Sequence, residues 1–144
     1  IQLGNIKPIY ELALFKNKYL KKGSEKYYLQ NAFGFKGLSN VFSAQYKYNG
    51  SSTTVFIAGP FSIKKRNNLI KNYKNFLIKE GAKQESNHTS IPDLTILNYD
   101  RSIETIFSIK QFAVGVHEAD DKKLGIKLSN ILNKTIKRNL TVKW

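Results

Sequence analysis

The chain has 144 residues, of which 41% are hydrophobic and 12% aromatic, and it contains no cysteine. This composition supports one globular domain with a hydrophobic core and excludes disulfides, thiolate metal sites and cysteine nucleophiles. Twenty-four basic residues against ten acidic ones give a net charge of +14. Such an excess is typical of proteins that bind polyanions, although an AT-rich coding sequence also favours lysine. Charged residues interrupt every apolar stretch, so we expect no membrane-spanning segment.

The N-terminal residues show no clean hydrophobic period, and Pro8 is unfavourable in a central strand. We therefore expect residues 1–22 to form an arm that packs on a single α+β domain, residues 23–144. The chain begins at Ile1 and contains no methionine, so we expect a processed polypeptide or a fragment of a longer one.

Two β-rich runs, residues 41–48 and 53–58, flank Asn49-Gly50. An Asn-Gly pair in this position is the strongest local signal for a two-residue hairpin turn. Ser62 then precedes an amphipathic pattern with a lysine-rich outer face, which predicts a helix that ends at Gly81.

The second half of the chain follows the same order. After a polar loop at residues 82–92, apolar runs at residues 94–99, 103–109 and 112–117 predict strands. Asp120 and Asp121 favour the start of a second amphipathic helix, which extends to about Arg138. We therefore expect a strand–strand–helix pseudo-repeat with halves at about residues 38–81 and 94–138.

The simplest architecture for these elements is an antiparallel sheet with both amphipathic helices on one face. In that arrangement the lysine-rich sides of the helices lie next to each other and form one candidate interaction surface. Its predicted members are Lys64, Lys65, Lys71, Lys74, Lys123, Lys127, Lys134 and Lys137.

The run Gly23-Ser24-Glu25-Lys26-Tyr27-Tyr28 precedes an Ala-x-Tyr strand and the predicted hairpin. Over residues 20–77 this pattern resembles a family of bacterial exported proteins known only as a domain of unknown function. The chain departs from that family at Arg66-Asn67-Asn68, where many relatives have alanine. The resemblance implies an extracytoplasmic location and supplies no catalytic residue. Tyr27 and Tyr28 are either an aromatic contact surface or tyrosines packed against the sheet.

Potential metal ligands are densest in His117-Glu118-Ala119-Asp120-Asp121. Helix capping already explains both aspartates, so we predict no metal site. His88 is interpreted as an exposed loop residue, and no G-x-S-x-G motif is present. Asp100 and Glu104 are interpreted as a turn residue and a solvent-facing strand residue, not as paired catalytic carboxylates. We therefore predict no catalytic residue, no cofactor and no enzymatic activity.

The expected function is that of a non-catalytic, extracytoplasmic domain for protein–protein assembly. It would act as a homo-oligomer or as an accessory or tubule- or filament-forming subunit of a larger complex. The chain also looks similar to some exported proteins of anammox-type respiratory systems, which implies a respiratory complex. The alternative is a sequence-independent binder of polyanions, either nucleic acid or an anionic surface polymer, with Tyr46 and Tyr48 flanking Lys47 as stacking residues.

Overall fold

A seven-stranded antiparallel sheet forms the frame of the computed structural model, which describes residues 10–141. Its strands are Lys26–Tyr28 (β1), Val41–Tyr48 (β2), Ser51–Ala58 (β3), Lys83–Glu85 (β4), Thr95–Tyr99 (β5), Ser102–Ile109 (β6) and Phe112–Ala119 (β7). They are arranged in the order β1-β2-β3-β7-β6-β5-β4. The predicted α+β class with an antiparallel sheet is confirmed. Residues 1–9 of the predicted arm and residues 142–144 of the predicted domain lie outside the described part.

The helices are Tyr10–Ala13 (α1), Ile63–Lys79 (α2) and Lys122–Leu140 (α3), with a 3-10 turn at Ala32–Gly34. Ser62 begins α2 as predicted, because its hydroxyl accepts a hydrogen bond from the Lys65 amide at 3.2 Å. Asp121 begins α3 in the same way, accepting from the Leu124 amide at 2.8 Å. Neither long helix, nor α1, is long and apolar enough to span a bilayer.

The hairpin turn at Asn49-Gly50 is confirmed, with φ values of 50° and 82°. Positive φ at both turn residues matches the right-handed twist of the strands that they join. Strand β4 was not predicted and lies in the segment interpreted as a polar loop. Its three polar residues join the sheet through backbone pairing with β5. Backbone pairing does not require alternating hydrophobic residues, so no such pattern marks β4 in the sequence.

The two long helices pack on opposite faces of the sheet, so the prediction of a shared face is wrong. Along β3, Val55 and Ile57 belong to the core under α3, whereas Phe56 and Ala58 belong to the core under α2. The central strands are therefore apolar on both sides. Hydrophobic stripes on the helices cannot indicate which of two equally apolar faces each helix covers.

The predicted pseudo-repeat is not confirmed. A hairpin followed by a helix does occur twice along the chain, as β2–β3–α2 and as β6–β7–α3. However, β3 pairs antiparallel with β7, and a rotation that superposes the two hairpins leaves their helices on opposite faces. The halves share an order of elements without sharing a packing arrangement.

The segment before β1 packs on the α3 side of the sheet. Leu14 and Phe15 are fully buried in the core there. Asn139, near the end of α3, donates hydrogen bonds to the carbonyl oxygens of Leu14 at 2.9 Å and Lys16 at 3.1 Å. These bonds satisfy backbone groups that follow the short helix α1 and hold the segment against α3.

Candidate functional site

The eight lysines of the predicted interaction surface belong to two separate surfaces. Lys64, Lys65, Lys71 and Lys74 lie on α2, and Lys123, Lys127, Lys134 and Lys137 lie on α3. Because the two helices pack on opposite faces of the sheet, the single continuous surface predicted from the sequence is wrong. Seven of the eight side chains are exposed and Lys74 is half-buried, so the two surfaces are considered separately.

The α3 surface, as we use the term, is the exposed side of α3 together with Lys18, Tyr19 and Tyr48. The rings of Tyr19 and Tyr48 pack with their centroids 5.6 Å apart. The ammonium group of Lys18 lies 5.3 Å from the Tyr19 centroid, and that of Lys127 lies 6.0 Å from the Tyr48 centroid. Two tyrosine rings, tilted by 55° to each other, are thus flanked by two cations at cation–π distance.

Hydrogen bonds on both sides hold Tyr19 in this position. The Asn17 side chain donates from its amide nitrogen to the Thr135 hydroxyl of α3 at 2.9 Å, and its oxygen Oδ1 accepts from the Tyr19 backbone amide at 2.8 Å. The Tyr19 carbonyl in turn accepts from the Lys47 amide of β2 at 2.8 Å. The aromatic pair is therefore fixed between α3 and the end of β2.

A groove of about 370 Å³ runs beside Tyr19 along α3. Its basic residues are Lys18, Lys134 and Arg138, and Asn17, Ile131 and Thr135 complete the lining. None of these residues is acidic. A second groove, of about 590 Å³, lies by Tyr48 and includes Asp120 and Asp121 as well as Lys123 and Lys127. Of these two grooves, the one beside Tyr19 therefore has the larger excess of basic over acidic residues.

Tyr46 is not the stacking residue that the sequence indicated. It is fully buried, and its hydroxyl donates to the carbonyl oxygen of Phe15 at 2.7 Å. Burial raises the pKa of the Tyr46 phenol well above its usual value. Tyr48 remains accessible, and its ring partner is Tyr19, which sequence reasoning missed because the two residues are far apart in the chain.

The α2 surface is as basic but lacks accessible aromatic partners of this kind. The ammonium group of Lys65 lies 5.4 Å from the ring centroid of Phe61, which is buried. Arg66 bonds the side chain of Asn67 and the carbonyl of Lys110. The ring beside Lys65 is thus buried, whereas Tyr19 and Tyr48 on the α3 surface are only half-buried.

The run Gly23–Tyr28, which carries the resemblance to an exported family, lies at one edge of the sheet. Lys26–Tyr28 forms β1 and pairs with β2. Ser24 accepts a hydrogen bond from the Gln45 amide at 2.9 Å and donates to the Lys21 carbonyl at 2.6 Å. The Tyr27 ring packs 4.7 Å from that of Phe42 but stays 45% exposed. The tyrosines thus pack on the sheet, and Tyr27 also presents a surface to solvent.

A buried carboxylate was missed by sequence reasoning. Glu104, interpreted as solvent-facing, is 2% exposed and accepts three hydrogen bonds. The donors are His117 Nδ1 at 2.8 Å, the Tyr73 hydroxyl at 3.1 Å and the Glu118 amide at 2.8 Å. The available signal was a charged residue inside the apolar run Ile103–Ile109, since an ionised group is buried only when partners satisfy it.

A β-bulge creates this cluster. Ile103 pairs with Ala119 and Thr105 pairs with Val116, so two residues of β7 lie opposite Glu104 alone. The second of these, Glu118, has φ 56°. The bulge directs the Glu118 amide to Glu104 and aligns His117 beside the same carboxylate.

Aromatic side chains cover the cluster. Phe33 of the 3-10 turn stacks on His117 with centroids 4.1 Å apart. Burial raises the pKa of the Tyr73 phenol well above its usual value, and the charge of Glu104 and its hydrogen bond raise it further. Within residues 10–141 no three acidic or histidine side chains converge as a metal site. Asp121 caps α3, and His88 is exposed in its loop.

No family model, no curated protein and no solved structure matches this chain. The resemblance of Gly23–Tyr28 to an exported family, and the extracytoplasmic location that it implies, therefore stay predictions. The function must be inferred from the surfaces themselves.

Proposed function

We propose that this domain is a non-catalytic binder of polyanions that uses the α3 surface. The observation that carries the proposal is the Tyr19–Tyr48 pair, whose tilted rings lie in contact between the cations of Lys18 and Lys127 and beside a groove without acidic residues. Proteins that bind single-stranded nucleic acids without sequence preference combine a basic groove with aromatic rings in this way.

The cations of this surface are available for a ligand. Among the described residues, Lys127, Lys134 and Lys137 have no carboxylate within 4.0 Å, and the ion pair made by α3 joins Lys122 to Glu85 at 3.5 Å. Helix α3 contains no acidic residue. A polyanion that contacts these lysines would release its condensed counterions, which favours binding at low salt.

The test is a pair of matched triple variants, each of which removes three exposed lysines. One is Lys127→Gln, Lys134→Gln and Lys137→Gln on α3; the control is Lys64→Gln, Lys65→Gln and Lys71→Gln on α2. Binding of a fluorescent single-stranded oligothymidine is measured by anisotropy over a range of salt concentrations. We expect the α3 variant to bind at least ~10-fold more weakly at low salt, with a salt slope smaller by about 2.

Both variants lose the same net charge, so the comparison separates a defined surface from general attraction. The α2 variant should bind less than about 3-fold more weakly, because it loses only long-range attraction. Equal weakening by the two variants would contradict the proposal, and so would a parent protein whose affinity does not depend on salt.

A tyrosine variant can distinguish a nucleic acid from a polyanion without bases. Base stacking on an aromatic ring is worth about 1–3 kcal/mol per base, so Tyr48→Ala should weaken oligothymidine binding by that amount. The same variant should bind heparin, which has no bases, with nearly unchanged affinity. A loss for both ligands would indicate that Tyr48 positions the lysines and does not stack on bases.

We also propose a second function, protein–protein assembly, which two exposed apolar side chains favour. Leu29 is 70% exposed and Tyr27 is 45% exposed, both at the β1 edge of the sheet. The edge strands β1 and β4 have three residues each, which limits pairing between strands of different molecules. The contact would therefore be made by side chains, with a second copy or another protein.

Solution mass by light scattering, at near-physiological and at high salt, tests self-assembly. We expect a dimer or larger species that persists at high salt, since apolar contacts are not screened. Leu29→Ser should reduce the solution mass of the oligomer. Ile78→Ser is the control, at a 41% exposed position on α2, and should leave that mass unchanged. A monomer at both salts would leave assembly only with a different protein.

A further inference from the structure

A small cavity lies beside His117, on the face of the sheet that α2 covers only in part. Helix α2 packs mainly on β5, β6 and β7 and reaches β3 through the contact of Tyr73 with Phe56. None of the residues that line the cavity belongs to α2. The cavity measures about 270 Å³. It is smaller than the usual site of a drug-sized ligand, which excludes a polymer and fits a small molecule or one terminal group.

The floor of the cavity is a row of polar side chains across neighbouring strands. Gln45 of β2 pairs with Thr54 of β3, and Thr54 pairs with His117 of β7. Side chains at paired positions lie next to each other on one face of a sheet. Lys26 of β1 and Ser43 of β2, which are also paired, add an ammonium and a hydroxyl group to the lining.

Glu104 determines how His117 faces this cavity. An ionised carboxylate accepts hydrogen bonds only, so the 2.8 Å contact requires a proton on His117 Nδ1. Nε2 remains for a ligand, and the nearest carboxylate to it is that of the exposed Glu118, at 3.6 Å. In the protonated imidazole, whose charge Glu104 balances, Nε2 is a donor.

The remaining hydrogen-bonding capacity of the cavity is mostly that of donors. The Thr54 hydroxyl accepts from the side-chain nitrogen Nε2 of Gln45 at 2.6 Å, so the hydroxyl proton of Thr54 is available. Within residues 10–141, the side chains of Ser43 and Lys26 make no hydrogen bond or ion pair. Lys26, His117 and the hydroxyls of Ser43 and Thr54 can therefore donate into the cavity, whose lining also includes Ser24, Tyr28 and Gln45.

Phe33 forms one wall of the cavity. Its unfavourable backbone conformation indicates that the surrounding structure holds it in this position. It has φ 54°, a left-handed conformation that is rare for a bulky residue and costs about 1–3 kcal/mol. Its ring stacks on His117 and lies 5.9 Å from that of Tyr28. The strained turn holds an aromatic wall over the histidine.

We infer that this cavity binds a small oxyanion, a carboxylate or phosphate group, with Lys26 supplying positive charge and His117, Ser43 and Thr54 supplying hydrogen bonds. Hydrogen bonds between a charged donor and an oxyanion are about twice as strong as those between neutral groups. The site is separate from the α3 surface, because it lies on the opposite face of the sheet.

The two histidines of the chain give a direct test. Ring resonances of His117 and His88 are followed by NMR while inorganic phosphate, and separately acetate, is added at about pH 6, where imidazole is largely protonated. Sodium chloride at equal ionic strength is the reference titration. We expect saturable shifts of the His117 resonances, while those of His88 follow the chloride titration.

Lys26→Gln should weaken phosphate binding about 5- to 10-fold, and Lys134→Gln, on the opposite face, should leave it unchanged. Lys26 is exposed on a short edge strand, so its variant is expected to fold; an unchanged urea midpoint verifies this. The α3 triple variant should also keep the His117 titration, which separates this site from polyanion binding.

Three outcomes would overturn the inference. They are His117 shifts that remain linear in both anions, shifts that chloride reproduces, and a folded Lys26→Gln protein with parental affinity. Thr54→Val provides a second variant that removes a donor with little change in shape. Saturation that is unaffected by both variants would place the anion elsewhere.

Discussion

The two faces of the sheet carry helices of equal charge over interiors of different polarity. Helices α2 and α3 each contain six lysines and arginines and no acidic residue. Under α3 the buried polar groups include the hydroxyl pair Thr105–Ser129, 2.7 Å apart. Under α2 the sheet buries the carboxylate of Glu104 with its three donors. Glu104 and Thr105, which are neighbours in β6, thus lie in the two different interiors of the sheet.

The connecting segments explain the difference. On the α3 side, residues 14–19 fill the space over β2 with buried apolar side chains and bring Tyr19 to Tyr48. On the α2 side, Phe33 of the 3-10 turn packs on His117, Phe56 and Tyr28, and a cavity remains beside it over β2 and β3. Helix charge alone does not distinguish the surfaces; what packs beside each helix does.

The largest effect is expected at the buried carboxylate. Glu104→Ala leaves the buried Tyr73 hydroxyl, His117 and the Glu118 amide without an acceptor, which should lower the free energy of unfolding by about 3–5 kcal/mol. Urea denaturation measures it. Glu118→Ala is the control, since that side chain is 69% exposed and should change stability by less than about 0.5 kcal/mol. A loss below about 1 kcal/mol at Glu104 would show that the α2-side interior relaxes easily.

A smaller effect should appear at alkaline pH through one buried tyrosine on each face, Tyr73 and Tyr46. Burial raises both pKa values in the folded protein, while in the unfolded chain each phenol ionises near pH ~10. The folded state therefore retains these protons longer, so stability is full below the unfolded pKa and falls as the pH rises above it. By about pH 11 each tyrosine should contribute a loss of about 1.4 kcal/mol.

Urea unfolding of Tyr73→Phe and Tyr46→Phe at about pH 9 and about pH 11 tests this expectation. Each variant should lose about 1.4 kcal/mol less than the parent between the two conditions. If replacing one tyrosine leaves the loss of stability between these two pH values unchanged, that tyrosine ionises as readily in the folded state as in the unfolded state. Such a result at Tyr73 would also contradict its placement beside the Glu104 charge.

The smallest effect concerns the turn that encloses the cavity. Alanine is normally more stabilising than glycine by about 0.5–1 kcal/mol, but not where φ is positive. Phe33→Gly should therefore be at least as stable as Phe33→Ala, by urea denaturation. At Phe35, where φ is −97°, the usual order should hold. If alanine is favoured at both positions, the left-handed turn is not retained in the variants.

Local signals in the sequence were sufficient for much of the fold. Asn49-Gly50, Ser62 and Asp121 specify a turn and two helix starts through contacts within four residues, and all three are as predicted. The strands of the antiparallel sheet also follow from short apolar runs that turn signals separate. Strand β4 could not be predicted in this way, because three polar residues have no pattern and depend on β5 for their partners.

The sequence by itself determined the α+β class, the hairpins, the two long helices and their positive charge. Only the tertiary structure decided which face each helix covers, because the central strands are apolar on both sides. It also decided the sites: Tyr19 meets Tyr48, and Glu104 meets His117 and Tyr73, across long separations in the chain. Such contacts depend on how whole helices and strands pack. A local sequence pattern therefore cannot identify a partner residue that is distant in the chain.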